Sequence, residues 1–321
     1  MVAEAMIAVW PHNRGMAAIT PPRPVPGQPG GDAASPLDRT RVSRRGLLAG
    51  GLALAASSLN GCARVRPGLA THTYAELVAD DPFYVAHRGG GANWPEMTAF
   101  AYDQAAALPY VKAMEVSFCL SSDGVLVCSH DPDPVRVTGV SLEIAATPWA
   151  TLSQLTVTAA QTDDPSQPRR PFSRFEDVVE QHIDRLVLFV EPKVGAAVEP
   201  LMSRMAALAQ PERVVWKQPV NQPNFATAKQ NGFATWGYVL DEPSHVNRLE
   251  MFAADPSIDM LGVAVTATDD LSAAVAAAAR AAKKPVMMWP VSTREQRARA
   301  LSFGSRGLMT SDIRTLPTIP V

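Results

Sequence analysis

The 321-residue chain lacks several features that would each point to a familiar class. It has no glycine-rich phosphate-binding fingerprint, which argues against an open doubly wound nucleotide fold. Its charges nearly balance, at −2 overall, and no stretch concentrates Lys and Arg into a basic face, so nucleic acid is not an expected partner. The apolar run from Gly46 to Leu59 covers only about 14 residues, where about 20 are needed to span a bilayer. Cysteine is scarce, with only Cys62, Cys119 and Cys128. Apolar residues, by contrast, make up 47% of the chain, enough for one large core of about 250 residues plus an appendage.

The appendage is N-terminal. Residues 11 to 36 hold seven prolines and no apolar periodicity, so residues 1–40 are expected to be a disordered extension. Over residues 41–62, Ser43-Arg44-Arg45-Gly46, the Ala/Leu/Gly run and Leu59-Asn60-Gly61-Cys62 resemble a twin-arginine signal peptide ending in a lipoprotein cleavage box. The resemblance implies an exported lipoprotein of the cell envelope, with membrane association by a lipid anchor at Cys62 on the outer side of the cytoplasmic membrane. Cleavage there would leave the mature chain at a net charge of about −5. Residues 63–82 read as a linker with a short helix near Tyr74–Val78, which could cover one end of the domain that follows.

From residue 83 to 321, β-rich runs alternate with helical patterns, the signature of a parallel sheet with crossover helices. Strands are expected at Phe83–His87, Tyr110–Phe118, Arg185–Val190, Arg213–Gln218, Ala234–Leu240, Met260–Val265, Pro285–Trp289 and Gly307–Thr310. Eight such signals favour a (β/α)8 TIM barrel over an open sheet. The long interval between the second and third strands, Cys119 to Phe175, marks a hairpin-containing insertion at the catalytic face.

In such a barrel a charged residue closing an apolar strand reads as functional. His87 and Arg88 close the first strand, Glu115 lies late in the second, and Glu191 and Lys193 close the third, two residues apart and thus on one face. If Asp123-Gly124 forms a two-residue turn, Ser117 faces His130, which returns beside Glu115. The same register sets Cys119 opposite Cys128, where either a disulfide or two buried free thiols would fit.

Taken together, His87-Arg88-Gly89, Pro95-Glu96, Glu115, Asp123-Gly124, His130-Asp131, Glu191-Pro192-Lys193, Trp289 and Thr310-Ser311-Asp312 resemble the glycerophosphodiester phosphodiesterase family over residues 83 to 312. The resemblance implies hydrolysis of glycerophosphodiesters to an alcohol and glycerol 3-phosphate. His87 and His130 would be the acid–base pair, and Arg88 and Lys193 would bind the phosphate of a small-molecule phosphodiester or phospholipid headgroup. Glu115 and Glu191 would hold a divalent cation, Ca or Mg. Three positions depart from the family pattern. Ser117 replaces an aspartate ligand and would be a weak one, and Met97 and Ser292 replace asparagines. Glu96 either joins the site or caps the helix expected from Met97. Trp289 is either barrel core or a wall against the substrate. Two other classes stay open: a catalytically impaired glycerophosphodiester-binding lipoprotein, and a related phospholipase acting on intact lipid or an envelope polymer.

Overall fold

The computed structural model describes residues 70–320; the expected extension, signal peptide and lipidated Cys62 lie outside these residues. Eleven strands lie within them: β1 (Phe83–Ala86), β2 (Ala113–Leu120), β3 (Leu126–Cys128), β4 (Thr156–Val157), β5 (Arg170–Pro171), β6 (Val187–Pro192), β7 (Val214–Pro219), β8 (Ala234–Val239), β9 (Met260–Ala264), β10 (Val286–Val291) and β11 (Gly307–Thr310). Eight of them, β1, β2 and β6 to β11, pair in parallel in that order, and β1 closes on β2 through Ala86 and Met114. Each expected strand is present, with ends within three residues of those read from the sequence. Among the described residues, no helix is long and apolar enough to cross a membrane.

The barrel exists because its strands are apolar on both faces. Side chains alternate along each strand, so Phe83, Val85, Ala113, Val187, Phe189, Val215, Trp236, Met260, Met287 and Met309 fill the lumen. The intervening residues, such as Met114, Val116, Leu188, Val190, Val214 and Leu261, pack outward beneath the helices. Two lumen positions are glycine for steric reasons. A Cβ at Gly262 would run into the Trp236 indole, and one at Gly307 into the Phe83 ring. The helix Tyr74–Leu77, with a Thr73–Glu76 capping box, puts Leu77 into the lumen cluster beside Phe83 and so closes the end where the strands begin.

The insertion is present, with its own small core of Cys119, Val127, Val137, Ile144, Leu152, Val157 and Phe172, but its hairpin register is one residue from the expected one. Phe118 pairs with Cys128 and Cys119 with Val127. The turn has three residues, not two. Ser121 and Val125 bond across it (2.9 Å), and Gly124 takes the left-handed conformation (φ +81°) after a tight turn, a common three-residue hairpin geometry. A one-residue slip moves a side chain to the other face. Cys119 therefore lies in the insertion core and Cys128 in the outer barrel core; both are free thiols, and the expected pairing is corrected. Burial pushes the Cys119 thiol up to about 12 and holds the Cys128 thiol well above its ordinary value. Alkylation of the unreduced protein should leave both unlabelled while folded and label both after unfolding. Failure to label after unfolding, with a mass lower by the two thiol hydrogens, would restore the disulfide.

Candidate active site

Inward-facing residues become charged at the ends of the strands, because there the lumen opens. Glu115, Ser117, Glu191, Lys217 and Tyr238 all continue the inward alternation of β2, β6, β7 and β8. Parallel pairing sets Ser117 beside Glu191, and the Ser117 hydroxyl lies 3.0 Å from Glu115 Oε1 and 3.1 Å from Glu191 Oε2. Its single proton serves one carboxylate at a time. The Tyr238 hydroxyl donates to Glu191 Oε1 (2.8 Å). Trp289 is half-buried and packs edge-on against Trp236 and Tyr238, with centroids 5.3 and 5.1 Å away, so its body belongs to the lumen cluster at the barrel mouth.

The turn after β1 is left-handed at Arg88, Gly89 and Gly90, with φ of 54°, 76° and 90°. For Arg88, a residue with a Cβ, this conformation is strained, as is common where function fixes the backbone. It directs the Arg88 N–H to Glu115 Oε2 (2.9 Å). Its guanidinium donates to Glu96 Oε1 (3.0 Å), while Arg88 Nε is buried without a partner among the described residues. Met97 is also left-handed (φ 58°), and its N–H bonds to the Arg88 carbonyl (3.1 Å). The helix starts only at Ala99 and is capped by Thr98. Glu96 is therefore no cap; it is buried between Arg88 and Arg136, which donates to it at 2.7 Å. Burial pushes its carboxyl up, but the two guanidiniums outweigh that and lower it to about 2.

His130 sits two residues past β3, where the chain has already left the sheet, so it reaches the site despite the changed register. Lys193 Nζ, which can only donate, lies 3.4 Å from His130 Nε2 and 3.2 Å from Glu191 Oε1. The His130 proton then resides on Nδ1 and is donated to Asp131 Oδ1 (2.7 Å), while Asp131 also receives Arg136 Nε (2.7 Å). Arg88, Glu115, Lys217, Glu191, Lys193, His130, Asp131, Arg136 and Glu96 thus form a closed ring of hydrogen bonds and ion pairs. His87 stands beside it, buried, with Nδ1 2.9 Å from the Ser311 hydroxyl. Burial, then Arg88, lowers its imidazole to about 3; burial, then Lys193 and Arg88, lowers His130 to about 4 against the pull of Asp131.

Every residue expected at the site is therefore near it, Glu96 joins the site and does not cap the helix, and four more residues join: Asp131, Arg136, Tyr238 and Lys217. Lys217 was readable by the rule that picked out Glu191, since it is a charged residue near the end of an apolar strand. Lys217 decides whether the implied divalent cation fits. Its ammonium, 4% exposed, lies 2.9 Å from Glu115 Oε1 and 2.5 Å from Glu191 Oε2, and 5.5 and 5.6 Å above the Trp236 and Tyr238 rings. Burial works against its charge, but the two carboxylates prevail and raise its pKa. Glu115 is in turn lowered to about 2, with burial opposing and Lys217 the chief lowering influence. Two carboxylates and a neutral hydroxyl, with an ammonium already between the carboxylates, do not suit a hard divalent ion, which favours more anionic oxygen ligands. The cation expected on Glu115, Glu191 and Ser117 does not fit this donor set, and among the described residues no cluster of three or more His, Cys, Asp or Glu is arranged to hold one.

Comparison with known proteins agrees with the fold. A Thermotoga maritima glycerophosphodiester phosphodiesterase superposes with a TM-score of 0.56 at 17% identity, covering 74% of this chain and 97% of that one. An Oleispira antarctica phosphodiesterase, solved in complex with the product sn-glycerol 3-phosphate, gives 0.58 at 20% identity, covering 74% and 96%. A curated Mycobacterium tuberculosis protein named "Probable glycerophosphodiester phosphodiesterase 1" is 46% identical over 56 residues, which is 17% of this chain and only 20% of that protein's length. The glycerophosphoryl diester phosphodiesterase family model matches residues 87–315, from His87 through the loop after β11, and the chain belongs to that family.

Proposed function

We propose that the protein hydrolyses glycerophosphodiesters, releasing an alcohol and glycerol 3-phosphate. The observation that carries this reading is the barrel mouth, where one neutral imidazole, His130, lies in the ring and another, His87, lies beside it, close to Arg88 and Lys193. The cationic side chains suit a phosphodiester anion and the further negative charge that develops as it reacts. With its proton committed to Asp131, His130 has Nε2 as its accepting nitrogen, and once Lys193 turns from it to the phosphate, Nε2 takes the proton of the attacking oxygen. As the new P–O bond forms and the old one breaks, the departing alkoxide takes a proton from His87, whose charged form the bound phosphate anion favours. Family members generally depend on a divalent metal, so assays need calcium, magnesium and EDTA arms.

The test is release of glycerol 3-phosphate from glycerophosphocholine and glycerophosphoethanolamine by the full chain. Binding of glycerol 3-phosphate without turnover in any arm would instead mark a binding lipoprotein. Turnover of intact phospholipid alone would mark a phospholipase.

The lowered imidazoles set the pH dependence. A base of pKa about 4 stays neutral, and so competent, far below the ordinary histidine value of about 6.5. kcat/KM, which reports groups of the free enzyme, should therefore not fall as pH drops from 7 to 5. An acid limb with its midpoint between 6 and 7 would contradict this.

The same proposal places the enzyme in the envelope, supported by Arg44-Arg45, the apolar run and Cys62. A reporter fused to residues 1–70 should be exported only through the twin-arginine pathway, and Arg44→Lys with Arg45→Lys should block it. Equal export of the double-lysine fusion would sink this part of the reading.

A further inference from the structure

Lys217 is the one buried cation that spans both carboxylates of the site. It lies on β7, next to β6 and one strand further from β2, and reaches one oxygen of each carboxylate that those two strands supply. The remaining oxygens are also satisfied: Glu115 Oε2 by the Arg88 N–H, and Glu191 Oε1 by Tyr238 and Lys193. The Trp236 and Tyr238 ring faces lie beneath the ammonium, giving it a built seat. Position 117, between the carboxylates, is neutral. An aspartate there would add one negative charge, which a divalent ion in place of an ammonium would match. Serine and lysine together remove one charge of each sign, so the pocket balances with monovalent cations alone.

Resting on the reading of this barrel mouth as a phosphodiesterase site, we propose that the Lys217 ammonium takes the place of a divalent cation, assembling Glu115 and Glu191 so that the enzyme works without a metal. Lys217 is then a positioning residue. It fixes the two carboxylates that orient Arg88 and Lys193, and it supplies positive charge at the base of the pocket, where a metal ion would otherwise sit.

The test uses the full chain stripped with EDTA, with two independent readouts. Calorimetric titration with calcium and with magnesium should show no binding to the wild type. Glycerophosphodiester turnover should change less than about twofold between EDTA and millimolar metal, since no metal step is lost. Lys217→Ala with Ser117→Asp, which supplies three carboxylates and removes the ammonium, should gain metal binding and show turnover at least about tenfold higher with metal than in EDTA. Wild-type binding of calcium or magnesium that Glu115→Gln abolishes would overturn the proposal even if no substrate were ever found, and so would wild-type turnover lost in EDTA and restored by metal. A wild type that binds no metal and hydrolyses no phosphodiester in any arm would instead overturn the proposed function, leaving Lys217 as the cation of a binding site. If Lys217→Ala/Ser117→Asp does not fold, the wild-type titration and EDTA arms decide alone.

Discussion

His130→Ala should lower turnover by about 10² or more on any phosphodiester, while His87→Ala should do so only when the leaving group is a poor one. The difference follows from their surroundings. His130 has its Nδ1 proton bound to Asp131, itself held by Arg136, so its Nε2 is oriented to accept. The His87 imidazole, beside the ring, has one hydrogen-bond partner among the described residues, the Ser311 hydroxyl. A p-nitrophenolate leaves without help from an acid, so glycerol p-nitrophenyl phosphate should restore most of the His87→Ala loss and none of the His130→Ala loss. The reverse pattern would exchange the two roles. Thermal melts that match the wild type would separate chemistry from folding, since neither ring is part of the lumen cluster.

Lys217→Met should lower stability by about 3 to 5 kcal/mol near pH 7, because removing it leaves buried Glu115 without a cationic side-chain partner and Glu191 with Lys193 alone. Glu115 and Glu191 both sit well below the ordinary carboxylate range, in part because Lys217 faces them. A carboxyl lowered in the folded state gives stability that is present above its unfolded pKa and lost as pH falls through the folded value. Without Lys217, Glu115 loses its chief lowering influence and its folded value rises, while Glu191 keeps Lys193, so the variant should regain stability relative to wild type as pH drops toward 5. Denaturant unfolding at pH 7 and pH 5 measures this. A loss unchanged between the two would mean that the cost is packing around the Trp236 and Tyr238 rings and not stranded charge.

Much of this was readable from residue order because a parallel barrel imposes simple rules. Strands buried on both faces are uninterrupted apolar runs, as at Val187–Pro192 and Ala234–Val239, and their charged ends mark the mouth. That is why His87, Arg88, Glu115, Glu191 and Lys193 could be placed together. The hairpin was misregistered because Asp123-Gly124 suits both two- and three-residue turns, and only the Ser121 to Val125 bond distinguishes them. His130 nonetheless reached the site, since it lies beyond the strand where register no longer applies. Arg136 was missed because its pairing with Glu96 spans 40 residues of chain, a contact that no local pattern encodes. Lys217 was overlooked for a simpler reason. No recognised motif contained it, although Val214-Val215-Trp216-Lys217 is an apolar strand closed by a charge.

The most direct measurement is phosphorus NMR of glycerophosphocholine incubated with the full chain, beside the His87→Ala/His130→Ala double variant at equal concentration. A glycerophosphodiesterase working through these two imidazoles should convert the diester resonance into that of glycerol 3-phosphate, and the double variant should leave it unchanged. Conversion at the same rate by both proteins, or an undiminished diester signal with the wild type across all metal and EDTA conditions and with glycerophosphoethanolamine as well, would contradict it.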